Sequence, residues 1–136
     1  VLGAFHTGLR EPHDQTERCL RALRHPRVDV LAHPRGRRYD RRVGIRADWE
    51  RMAEEAARQG KALEIDASPD RQDLNPELLP LVREAGGWVA IDTDAHAPGE
   101  LGFIVFGLAA AILAGIPRDR VLNLLPADEV VRWAER

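Results

Sequence analysis

Two of the five histidines in this 136-residue sequence stand directly after short apolar runs and a third stands five residues after another, and carboxylates stand after two such runs. His6 follows "VLGAF", His33 follows "VDVLA", Glu64 and Asp66 lie at the end of "KALEID", and Asp92, Asp94 and His96 follow "WVAI". Neutral imidazole and carboxylate oxygen are the donors that suit Zn²⁺, Mn²⁺ or Fe²⁺, so His6, His33, Asp94 and His96 are candidate ligands of a divalent metal. Asp94 and His96 are two residues apart, and in an extended stretch their side chains face the same way. Asp92 is two residues earlier and is placed to orient an imidazole from behind. A histidine after one strand is commonly an ordinary loop residue; three of them with an aspartate at equivalent places form a pattern. His13 and His25 stand outside it and are expected in solvent. Glu64 either points into the interior of a barrel or pairs with an arginine.

Those runs belong to an alternating pattern. Candidate strands at 1–5, 28–32, 61–65 and 88–91 alternate with helical periodicity at about 12–24, at about 47–59 and after Asn75-Pro76, and Gly60 and Gly86-Gly87 stop two of these helices. Two short helices are expected where "PRD" (117–119) and "PAD" (126–128) open them. Strands alternating with helices imply an α/β fold with parallel pairing and right-handed crossovers. Parallel strands bring their C-terminal ends together, so residues 90 positions apart, such as His6 and His96, can share one patch.

A second chemical feature is "HPRGRRYDRR", His33–Arg42, with five arginines in ten residues. Beside a metal, guanidinium groups suit phosphate, which they grip in bidentate fashion; solvated pairing with nearby acids is the alternative. Arg35 and Arg37 are nearest His33. Arg71, in "SPDRQDL", either touches substrate or pairs with Asp70 or Asp73.

Composition narrows the rest. The chain is long enough for one packed core, and its net charge of −2 gives no global attraction to nucleic acid, so any such binding must be local. Cys19 is the only cysteine, which excludes an intrachain disulfide framework and fits a reducing compartment. No leader peptide is visible, so a cytoplasmic location is expected. The uncharged stretch Leu101–Ile116 is 16 residues long, below the ~20 of a membrane span, and is expected as a buried helix.

The stretches "FHTG", "LAHPRGR", "LEIDASPDRQDLN", "IDTDAHAP" and "VLNLLPADEVVRW" resemble, in that order and at similar spacing, the C-terminal half of the PHP (polymerase and histidinol phosphatase) domain, above all the one attached to bacterial X-family DNA polymerases. The resemblance covers nearly the whole chain. It implies part of a distorted (β/α)7 TIM-like barrel, a cluster of Mn²⁺ or Zn²⁺ ions, and phosphoester hydrolysis as a 3′–5′ exonuclease with related 3′-end processing in DNA repair. By position it makes His6, His33, Asp94 and His96 metal ligands, Asp94 and His96 catalytic, and Arg37 and Arg71 candidates for holding phosphate.

The departures are specific. The opening His-x-His pair of the family and the ligands that follow it are absent, Asp66 and Asp92 stand where asparagine is typical, Ala97 where serine is, and "AILAGI" replaces an arginine-bearing stretch. The expectation is therefore a single, partial PHP domain over 1–136, lacking the barrel's N-terminal strands, weakly active or inactive alone, and self-associating through exposed strand edges. Two rivals remain: a phosphoesterase for small phosphomonoesters, like histidinol phosphatase, and a non-catalytic interaction module.

Overall fold

A computed structural model describes residues 1–135. Four strands, β1 (Leu2–Ala4), β2 (Val30–Ala32), β3 (Ala62–Asp66) and β4 (Trp88–Asp92), alternate with helices α1 (Thr16–Arg24), α2 (Trp49–Arg58) and α3 (Leu79–Glu84). After β4 come α4 (Ile104–Leu113) and α5 (Ala127–Ala134), with short 3₁₀ segments at Pro98–Phe103, Arg118–Arg120 and Leu122–Leu124. The strands pair in parallel in the order β1-β2-β3-β4, with Leu2 opposite Val30, Val30 opposite Ala62, and Ala62 opposite Trp88. Four parallel strands alternating with helices, each beside its neighbour in sequence, is the arrangement of a partial TIM-like barrel.

The period of two along each strand separates two environments. Leu31, Leu63, Ile65, Val89 and Ile91 enter the main core with Cys19, Leu23 and Met52 of α1 and α2. Val30 and Ala62 face the other way, in a smaller cluster with Leu122 and Trp133 of the C-terminal segments, packed against Trp88 and Ala90. Glu64, Asp66 and Asp92 follow the alternation of this second set. The lone Cys19 is buried in the core, as its helical spacing indicates.

The helix starts differ from those expected. The helix anticipated from about 12 begins at Thr16, where the Asp14 carboxylate accepts from the Thr16 backbone N–H and hydroxyl, each at 3.0 Å. The Thr16 hydroxyl in turn accepts from Asp48 N at 2.8 Å, and Asp48 caps α2 by accepting from Arg51 N at 3.1 Å. After Asn75-Pro76 a turn intervenes, and α3 starts only at Leu79. Gly60, at φ 66°, ends α2 as expected.

The apolar run 101–116 is not one buried helix. Pro98, Gly99 and Gly102 hold its first part in 3₁₀ form, and α4 then buries Gly107 and Ala111 while Ile112 and Leu113 are 76% and 80% exposed. Gly107 permits the close approach: a Cβ there would lie 2.4 Å from Ile91 Cγ2. Among the described residues no helix is long and apolar enough to cross a membrane.

The two sheet edges differ. β1 is exposed along its outer side, whereas the free edge of β4 is occupied by a side chain acting as a strand: Asn123 Oδ1 accepts from Ile91 N and Asn123 Nδ2 donates to Ile91 O, both at 2.7 Å. Val121 adds a parallel bridge to Val89. Asn123→Ala therefore leaves both main-chain groups of a buried residue unpaired. Asn123 is itself exposed, so no cavity opens, and the expected loss is about 1–3 kcal/mol, read from urea unfolding; an unchanged midpoint would show that water replaces the amide freely.

Candidate functional site

The loops after all four strands meet at one edge. His6 and His33, after β1 and β2, lie edge to face with ring centroids 5.5 Å apart. His6 is exposed and His33 only 8% exposed, and the Nδ1 of His33 is buried without a hydrogen-bond partner. Burial, and after it the Arg71 charge, lower the basicity of His33, so its imidazole is neutral at pH 7. His13 is exposed beside Glu11 and His25 accepts from Arg27 N, outside this group, as expected.

Arg71 organises the carboxylates. Its Nη2 lies 2.7 Å from Asp94 Oδ2, and its Nε 3.3 Å from Asp66 Oδ2, out of line for a hydrogen bond, so that this buried oxygen accepts none. Arg71 thus forms salt bridges, with Asp66 and Asp94 rather than with Asp70 or Asp73. Asp70 takes Arg38 at 2.6 Å, and Asp73, which is 0% exposed, accepts from the backbone N–H groups of Arg35 and Arg37. Asp73 shapes the "HPRGR" loop from inside, and an acid two residues after an arginine gave no sign of that role.

Asp94 does not continue the extended backbone of β4. Asp94 has φ 47° and His33 φ 30°, left-handed values costing about 1–3 kcal/mol in a non-glycine residue, and such strain gathers at functional sites. Asp92 orients the backbone and no imidazole: its Oδ1 accepts from Asp94 N at 3.2 Å. The His96 ring meets the Asp94 carbonyl, with Nδ1 2.6 Å from the oxygen, and its backbone N–H is fixed by Glu100 Oε2 at 2.7 Å. Glu100 also accepts from Ala97 N, the reach-back of a capping box, legible as the glutamate three residues after Ala97.

Glu64, on the interior side of β3, accepts from His33 N at 2.5 Å. Burial and the Asp92 carboxyl beside it push its acidity far down, so Glu64 holds a proton at neutral pH. Asp66 is pushed up to about 7 by burial, against the pull of Ser68 N–H and Arg71. Asp73 is pushed up to about 6, again by burial.

A cavity of about 530 Å³ opens over this edge, lined by Arg38, Asp70, Arg71, Asp94, His96 and Phe103 among others. The paired imidazoles, with one buried nitrogen free of any partner, fit the nitrogen donors of a divalent metal. As arranged, Asp94 is committed to Arg71, and among the described residues no group of three or more His, Cys, Asp or Glu stands together as a complete ligand set. Arg37 donates to the carbonyls of Arg71 at 2.9 Å and Gln72 at 2.6 Å and lies over the Tyr39 ring, so it first of all ties two loops together.

No protein-family model matches the chain. It is 34% identical over 137 residues to the DNA polymerase/3′-5′ exonuclease PolX of Bacillus subtilis, an alignment covering all of this chain and 24% of that protein. It is 30% identical over 136 residues to the probable phosphatase YcdX of Escherichia fergusonii, covering 93% of this chain and 53% of that protein, and 29% identical to YcdX of Escherichia coli K12 over the same shares. The chain thus spans about a quarter of one relative and about half of the others, and it is similar to both kinds of enzyme along nearly its whole length.

The buried acids make this edge measurable without substrate. Glu64, Asp66 and Asp73 bind protons more tightly folded than unfolded, so their contribution is full below about pH 4 and is lost as pH rises, through about 6 and 7 for Asp73 and Asp66 and on to about 10 for Glu64. Glu55, held down to about 2 first by Arg58, acts oppositely and only below about pH 4.5. In chelator-treated protein the urea midpoint is expected to fall between about pH 5 and pH 8, and to fall less steeply in Glu64→Gln. A flat profile, or an identical slope in the variant, would contradict the assignment.

Proposed function

We propose that this chain is part of a divalent-metal-dependent phosphoesterase of the PHP type, processing DNA 3′ ends in a cytoplasmic, polymerase-X-like repair protein. The observation carrying the reading is that His6, His33 and the Asp94–His96 pair follow three separate parallel strands at the same sheet edge, with the His6 and His33 rings in contact. The relatives' names support the chemistry, since an exonuclease and a phosphatase both cleave phosphorus–oxygen bonds.

His6, His33, Asp94 and His96 would hold the metal, Mn²⁺, Zn²⁺ or Fe²⁺. When bound, such an ion lowers the pKa of water and draws charge from phosphate oxygens. The protein's own part is positional. Glu64 anchors the His33 backbone, Asp92 and Glu100 fix those of Asp94 and His96, and the uncharged His33 ring presents a lone pair. Asp94 and His96 face the substrate cavity as the residues nearest the reacting phosphate. Arg37 and Arg71 each keep Nη1 without a protein partner among the described residues, and these nitrogens suit a phosphate oxygen. The open edge of β1 suits pairing with another strand, and self-association through it accords with the closed edge of β4.

A second reading, a phosphatase for small phosphomonoesters, is favoured by the larger share of YcdX that aligns. The test is Mn²⁺-dependent hydrolysis of a 3′-labelled single strand beside a chromogenic phosphomonoester, in the protein and in Asp94→Ala/His96→Ala, with circular dichroism confirming that the variant folds. Nucleotide release is expected and should drop on the order of 100-fold or more in the variant. Turnover of the monoester alone would favour the phosphatase, and folded protein inert on both would leave an interaction module.

A further inference from the structure

The arginine-rich loop is only partly consumed by the site. Between residues 35 and 46 the chain carries six arginines and one acid, Asp40, although the whole chain is net acidic. The loop folds as a tight hairpin: Arg38 N donates to Arg42 O at 3.0 Å, Arg42 N donates to Arg38 O at 2.9 Å, and Tyr39, Asp40 and Arg41 form the tip. Buried Asp73 and the carbonyls of Arg71 and Gln72 hold its base. What is held rigid is therefore the display of the tip.

A second cavity, about 670 Å³, is lined by Arg35, Arg37, Arg38, Tyr39, Arg41 and Arg42 on its hairpin side, with Gln72 and Glu77 opposite. Arg38 lines both this cavity and the one over Asp94 and His96, so its side chain separates two neighbouring cavities. Arg41 is exposed, and its side chain has no hydrogen-bond or ion-pair partner among the described residues. Tyr39 is 49% exposed, with the Arg37 guanidinium 4.5 Å from its ring centroid on one side. Burial, and then the charges of Arg71, Arg10, Arg38 and Arg41, lower the basicity of Arg42, so this group of cations is mutually repelling. One phosphate ester needs one or two guanidinium groups. A run of cations with an exposed ring among them matches a longer ligand, since grooves that bind single strands combine basic residues along the backbone with aromatic platforms for bases.

We propose that the Arg38–Arg42 hairpin is a second phosphate-binding site that holds the backbone of a single-stranded polynucleotide beside the histidine edge, with Tyr39 stacking on a base. The assignment rests on the phosphoesterase reading only for which end of the strand reacts; binding itself is independent of it. Anisotropy of a fluorescein-labelled oligothymidylate of about 12 nucleotides is to be followed with chelator present, over a range of salt concentrations. Arg41→Ala should make the slope of log K against log salt shallower by about 0.7, the share of one single-strand phosphate. Tyr39→Ala should weaken binding about five-fold or more with little change of slope. Thymidine monophosphate should fail to displace the strand at equal phosphate concentration. Unchanged affinity and slope in both hairpin variants, or displacement by the monophosphate, would overturn the proposal. Strand binding without any hydrolysis would leave it standing and remove the catalytic reading instead.

Discussion

The Arg71 guanidinium, set between Asp66 and Asp94, is the constraint on which the rest of this edge depends. Asp66 is fully buried at the end of β3, and an ionised carboxylate there without a cation would cost several kcal/mol. Arg71 supplies the cation and, through Asp94, fastens the loop after β4 to the loop after β3. The same loop lends its Arg71 and Gln72 carbonyls to Arg37, and its Asp73 carboxylate to the backbone after His33. One short segment, 66–73, thereby holds three strand ends in a common geometry. Below it Glu64 is relieved of charge by keeping a proton, and Asp66 and Asp94 still outnumber the one arginine between them.

Much of this was legible in the chain. The strands fall where apolar, β-branched runs predict them, all four pair in parallel, and His6 packs against His33 across two strand ends, because placement by strand order needs only periodicity and topology. What escaped was decided by local hydrogen bonding. The Asp94–His96 spacing suggested extended backbone, and the left-handed turn at Asp94 gives the two residues another relation, through the Asp94 carbonyl instead of parallel side chains. The arginine partners also escaped, since an ion pair such as Arg71 with Asp94 depends on which loops face each other and not on neighbours in sequence. Asn123 carries no signal in the sequence, and only the position of β4 reveals its amide as a substitute strand.

The apolar run after the site illustrates the limit of composition. Uncharged residues over 101–116 read as burial, but a helix lying on a sheet buries one stripe, and the glycine at 107 and alanine at 111 are enough for close contact with β4. The larger side chains then face outward. In the same way a net charge of −2 conceals a hairpin that is strongly basic, because charge acts locally over about 8–10 Å at ordinary ionic strength.

The central claim is that His6, His33 and His96 belong to one metal-binding edge while His13 and His25 do not. Its most direct measurement is the imidazole proton spectrum of the whole chain during titration with substoichiometric Mn²⁺, each resonance assigned by a single histidine substitution. Selective paramagnetic broadening of the His6, His33 and His96 signals, with those of His13 and His25 sharp, is the result predicted. Uniform broadening of all five, or none at any of the three, would contradict it.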